Sequence, residues 1–147
     1  MNTSAAFGRS SGADSALLLL GRVLIAWLFI PAGIGKIVGF AGTAGYIASK
    51  GMPMPNVMVV LAILAELGCG LAILVGFQTR LASWGLALFS VVSAVIFHAY
   101  WSAQGADIAA QQINFNKNLA IAGGLLALSV AGAGAWSLDS SMRRGGA

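Results

Sequence analysis

The stretch PNVMVVLAILAELGCGLAILVGF, residues 55–77, contains a single charged residue, Glu66, with eleven residues on either side. Uninterrupted apolar runs of about 18 or more residues read as membrane helices. A carboxylate in the middle of such a run is costly unless it has a partner. This run therefore sets two constraints: the chain lives in a bilayer, and something must face Glu66.

Composition agrees with a membrane class. Of 147 residues, 59% are hydrophobic and 8% charged, where a soluble domain carries about 25% charge. Too few polar side chains remain to cover a water-facing globule. One membrane domain over 1–147 accounts for the length. The net charge of +4 is spread along the chain. It suits topology signals and anionic head groups rather than nucleic acid.

Four spans can be drawn, at about 15–38, 55–77, 81–101 and 114–136, with tails expected to be flexible at both ends. A hydrocarbon core of ~30 Å needs about 20 helical residues, so each is long enough. The expected fold is all-α, a four-transmembrane-helix bundle. Arg22 interrupts the first run and no small-x-small site follows it, which favours a retained helix over a cleaved signal. Between the first two spans, Phe40, Ala44 and Ile47 have helical spacing beside Lys50, ended by Gly51 and prolines. This predicts a short interfacial helix. The segment SAQGADIAAQQI reads as a polar loop, and SLDSSMRRGGA as a tail, disordered past Arg143 and Arg144. With an even number of spans, Arg9, Arg80, Arg143 and Arg144 fall on one side. Lys36, Lys50 and Lys117 fall on the other. The bias places both termini in the cytoplasm, with Arg80, Arg143 and Arg144 as topology anchors.

Depth follows from a rise of about 1.5 Å per residue. On this count Arg22 and Glu66 differ in depth by about 6 Å, within reach of an extended arginine. The faces support such a contact. Arg22, Ala26, Phe29, Gly33 and Lys36 form one stripe of the first span. Ala62, Glu66 and Gly70 form a small-residue stripe of the second. The expectation is a buried Arg22–Glu66 ion pair, structural in fixing helix register and compatible with proton handling.

A second group gathers at the other end. Lys36 closes the first span, His98 lies near the end of the third, and Asn114, Lys117 and Asn118 open the fourth. Asn114, Asn118, Ile121, Leu125 and Gly132 share a stripe. Lys36, His98, Asn114 and Asn118 are the candidate ligand-binding residues, able to hold an anion or a carbonyl oxygen. The plainer readings are snorkelling lysines and a satisfied interfacial histidine. Trp84, Tyr100, Trp101 and Trp136 read as interface belt. Cys69, alone in an apolar run, reads as a small buried hydrophobe. It excludes an intrachain disulfide and a thiolate metal site, so no metal is expected. One histidine without a second axial ligand gives no haem site. No Walker A loop, GxGxxG, HExxH or Ser/His/Asp set is present, which disfavours nucleotide-dependent and hydrolytic chemistry.

The order of these features carries a resemblance. AGIGKIVGF closes the first span, followed by GMPMP and AELGCGLAILVGFQTRLA. A histidine near the end of the third span, FNKNLAIAGGLL and GAGAWSLD complete the series. Over roughly 15–140 the chain resembles the DoxX family of small four-helix membrane proteins. The resemblance implies a bacterial-type inner membrane and a small subunit of a thiosulfate:quinone or quinol oxidoreductase, or a partner of redox-stress proteins. It points to Arg22, Gly35, Lys36, Glu66, Gly76, Arg80, Asn118 and to Ser137, Leu138 and Asp139.

The expected function is a quinone-linked redox module with no intrinsic cofactor, whose flavin or metal chemistry lies in a soluble or membrane partner. The alternatives are a small transporter or channel acting as a homo-oligomer, and a non-catalytic scaffold.

Overall fold

The computed structural model describes residues 12–145, and those residues form helices joined by short turns, with no strand among them. Arg9 lies outside the described residues. We label the helices α1 (Gly12–Val38), α2 (Phe40–Ser49), α3 (Pro55–Val75), α4 (Thr79–Phe97), α5 (Asp107–Ala131) and α6 (Leu138–Gly145).

Three segments rather than four are long and apolar enough to cross a membrane: α1, α3 and Thr79–Ser102. The last joins α4 to a short 3₁₀ turn at Tyr100–Ser102. Helix α5 has the length but not the hydropathy, because Gln111, Gln112, Asn114, Asn116, Lys117 and Asn118 crowd its first half. It begins at Asp107, seven residues before the expected start at Asn114, so the expected polar loop is largely helix. Tyr100 and Trp101 pack edge-on against Phe115, with ring centroids 5.6 and 5.5 Å away, which ties that early stretch to the end of α4. The stretch expected to be a tail after the fourth span is helical over Leu138–Gly145, as α6.

Packing follows the apolar stripes. Helix α5 runs alongside α4, and α1 alongside α3. Phe29, Ile73, Leu86, Leu125 and Leu128 meet in one core. The buried residues of α1 are Ser15, Arg22, Ala26, Phe29 and Gly33, and those of α3 are Val59, Ala62, Glu66, Gly70 and Ile73. Large apolar side chains such as Leu17, Trp27, Val38, Leu81 and Val130 remain exposed on the outside, as lipid-facing surface should.

The short helix expected between the first two spans is present as α2. Its Ala44 and Ile47 are buried against Val59 of α3. Tyr46 stacks on Phe97 at 5.6 Å, and Lys50 sits 5.4 Å from the Tyr46 ring centroid. Burying this face inside the protein leaves α2 as a lid over the end of α3.

The α1–α3 contact fixes the register. Gly33 lies so close to α3 that a Cβ there would be 2.9 Å from the Leu67 nitrogen and 2.9 Å from its Cβ. A Cβ on Gly70 would be 3.2 Å from the Ile30 side chain. Two glycines thus bring the antiparallel helices together, the usual route to tight packing in lipid. The two helices are not flush. The first turns of α1 overhang the end of α3, and the chain after α5 covers them, with Gly134 against Leu18 and Ser15. Both ends of the described chain therefore lie at one end of the bundle, here called the terminal end.

A cavity above the buried charge pair

Helix α3 is interrupted by a π-helical stretch, Leu64–Cys69, with Glu66 inside it. Such stretches are rare, leave the helix locally wider, and occur often at functional positions. The buried stripe of α3 steps by four residues into Glu66 and by four out of it, and by three on either side. Glu66 thereby stays on the face of α3 that packs against α1.

The partner it meets is Lys36, not Arg22. Lys36 Nζ lies 2.9 Å from Glu66 Oε1 and 2.7 Å from Oε2. The expected Arg22–Glu66 pair fails on register. Gly33 is level with Leu67, so Arg22, eleven residues earlier on α1, lies about 18 Å along the axis from the level of Glu66. Lys36 lies one turn beyond Gly33 and on the same stripe. The error came from treating the helix ends as flush.

Above this pair, away from the terminal end, opens a cavity of about 860 Å³. Phe29, Ile47, Met58, Phe89, Phe97 and Ile121 give it apolar walls, and Lys36 and Glu66 form its polar floor. His98, Asn114, Lys117 and Asn118 line it from the side of α4 and α5. The four residues singled out as ligand-binding candidates thus share one cavity. His98 follows the last residue of α4, and its Nδ1 is 2.9 Å from Gln111 Oε1. The Asn118 side chain donates to the Asn114 carbonyl at 3.1 Å. Helix α2 contributes Thr43 and Tyr46. Sequence reasoning missed α2 and Gln111 because neither lies on a stripe of the four long segments.

Arg22 belongs to a different construction at the terminal end. It is 1% exposed, and its Nη2 donates to the Trp136 carbonyl at 2.7 Å. Gly76 ends α3 with φ +71°, and a Cβ there would collide with Arg22 Nη1 and with Ser137. Ser137 caps α6, accepting from the Ser140 N–H at 3.2 Å. The Asp139 N–H donates to the Gly76 carbonyl at 2.8 Å. The Asp139 carboxylate accepts from the N–H groups of Gln78 and Thr79 at 2.8 and 3.0 Å. Helix α4 has no capping bond from the side chain of its own N-cap, Gln78, so Asp139 caps it from across the chain. The resemblance marked Gly76, Ser137 and Asp139 without a role; in space they form a clasp that ties α6 to the α3–α4 turn.

Burial raises the Asp139 pKa, but the N–H groups of Thr79 and Gln78, together with Arg143, outweigh it and hold the carboxylate below its ordinary value of 3.8. A depressed value stabilises the clasp when the group is charged. That stabilisation is complete above 3.8 and is lost as pH falls through the lower, docked value. Amide exchange at Gln78 and Thr79, corrected for intrinsic rates, is expected to show full protection near neutral pH and a loss below about pH 4. In Asp139→Asn the protection is weakened at every pH, by about 1 kcal/mol, the worth of an N-cap. Unchanged protection in that variant would remove the capping role.

The order of these elements along the chain matches a known family. The DoxX family model aligns to residues 17–99, more than half of the chain. The chain belongs to the DoxX family. Two curated Escherichia coli K12 proteins resemble this DoxX chain along most of their length. It is 39% identical over 127 residues to inner membrane protein YphA, covering 86% of this chain and 91% of that protein. It is 42% identical over 127 residues to inner membrane protein YqjF, covering 86% and 92%. No solved structure matches it. The family match spans α1 to the end of α4 and so takes in Arg22, Lys36, Glu66, Gly76, Arg80 and His98.

Proposed function

We propose that this DoxX-family protein is a quinone-linked module of the bacterial inner membrane, working as the membrane subunit or partner of an oxidoreductase. The carrying observation is the cavity between α2, α3, α4 and α5, apolar in its walls and polar at its floor and side. A quinone head group is a flat apolar ring with two carbonyl acceptors. Lys36 and Lys117 offer N–H donors, as do the asparagine amides, and His98 offers a ring nitrogen. Phe89, Phe97 and Ile121 can sandwich the ring. Leu28, Leu61 and Val92 line the same cavity and are also exposed on the outer faces of their helices, which suits an isoprenoid tail leading into lipid. The bound quinone would supply two-electron redox chemistry. This chain's residues would hold the head group and keep Glu66 and Lys36 beneath it as groups able to exchange a proton.

In this reading α5 is the fourth crossing, its polar first half shielded by α4 and the cavity. Both termini face the cytoplasm, because Arg80, Arg143 and Arg144 cluster at the terminal end. The names of the two relatives favour the inner membrane.

The test is extraction of quinones from protein purified in mild detergent. About one quinone per chain is expected, lost in Lys36→Met, His98→Ala and Asn118→Ala variants whose thermal stability shows them folded. Absence of quinone from every preparation, including membranes enriched in ubiquinone and menaquinone, would overturn the proposal.

A further inference from the structure

The opposite face of the bundle holds a second cavity, of about 970 Å³, at the terminal end. Arg80, Arg143 and Arg144 line it, together with Asp139. The Asp139 carboxylate, held by the Gln78 and Thr79 N–H groups, offsets one of the three guanidinium charges and leaves the cluster net positive. Arg143 and Arg144 are anchored within α6, through Nε to the Asp139 carbonyl at 3.1 Å and Nη2 to Ser140 Oγ at 3.1 Å. Their remaining N–H groups are free to point at a ligand. The Arg80 guanidinium passes over Gly132, where even an added Cβ would be 3.7 Å away.

Depth identifies the ligand. Trp84 and Trp136 are exposed near this end, the position of an aromatic belt at the head-group level. Helix α6 is amphipathic, with Leu138 and Met142 exposed one turn apart and the arginines on other faces. Such a helix lies in the membrane surface with its apolar side chains among acyl chains and its cations among phosphates.

We infer that Arg80, Arg143 and Arg144 form a binding site for the phosphate of an anionic phospholipid, with the clasp through Asp139 holding α6 in place to complete it. Guanidinium groups suit a phosphate diester because they bind it with paired N–H donors. The site is separate from the proposed quinone cavity and does not depend on it.

The full chain is reconstituted in nanodiscs of phosphatidylcholine containing a minor fraction of phosphatidylglycerol, then released for native mass spectrometry. Retention of one phosphatidylglycerol per chain in preference to phosphatidylcholine is expected. Each arginine replaced by alanine should weaken retention about fivefold. Arg143→Lys with Arg144→Lys keeps the charge but loses the paired donors, and should fall between wild type and the alanine variants. Folding is checked by the thermal midpoint of each variant. Equal retention of the two lipids, or undiminished retention in Arg80→Ala and in the double alanine variant, overturns the site. Displacement of the lipid by millimolar inorganic phosphate overturns its assignment to a lipid and gives it to a free phosphate.

Discussion

Lys36→Met is expected to lower the stability of the protein by about 3 kcal/mol, the lower end of the cost of breaking a buried ion pair. The reason is asymmetric burial. The Glu66 side chain is 7% exposed and the Lys36 side chain 26%. Removing the lysine leaves a carboxylate with nowhere to go. Removing the carboxylate leaves an ammonium on a flexible stem that can swing toward water. Glu66→Leu alone is therefore expected to cost less, about 1–2 kcal/mol. The double variant Lys36→Met with Glu66→Leu regains most of the loss, because an apolar pair of similar volume replaces both charges. Arg22→Leu added to Glu66→Leu is expected to regain nothing, since Arg22 lies about 18 Å away along the helix. Thermal midpoints in one detergent, or denaturation in mixed micelles, read the comparison directly. Rescue by the Arg22 change and none by the Lys36 change would reverse the assignment.

Gly76→Ala is expected to cost about 3 kcal/mol or more, well beyond backbone strain alone. A non-glycine residue in the left-handed region costs about 1–2 kcal/mol. Gly51 has the same φ of +71°, with nothing within 4 Å of an added Cβ. Gly51→Ala therefore measures the strain by itself. At Gly76 the new methyl also meets Arg22 and Ser137. Either Arg22 gives up the Trp136 carbonyl, leaving a buried guanidinium without its partner, or Ser137 moves and loosens the clasp. Each adds roughly the 1–3 kcal/mol of an unsatisfied buried polar group. Equal losses at Gly51 and Gly76 would show that the close packing around Arg22 carries no energy.

The charge pair and the clasp are built at opposite ends of the same helix pair. Helix α1 supplies Lys36 to one and Arg22 to the other, and α3 supplies Glu66 and Gly76. A shift of α1 along α3 would disturb both at once. Gly33 and Gly70 resist it by letting each backbone seat in the other's groove.

Much of this was legible from the residue pattern. Apolar runs named the membrane class, and spacing named the inward stripes, including Arg22, Phe29 and Gly33 on α1 and Ala62, Glu66 and Gly70 on α3. Stripes are local, because side-chain direction follows from 3.6 residues per turn. That Glu66 needs a partner also followed from the sequence alone, because an isolated charge in hydrocarbon is too costly. Which cation it meets did not. Partner choice depends on how far one helix slides past another, and that is set by contacts of Gly33 and Gly70 that no single segment reveals. The same holds for Asp139. In sequence it sits at the start of an apparent tail; in space it caps a helix that begins sixty residues earlier. The sequence determined the apolar helices, their buried faces and the need for a counter-charge, since each depends on neighbours a few residues away. Only the tertiary structure decided the pairing of Lys36 with Glu66 and the enclosure of Arg22, since both depend on the axial register of packed helices.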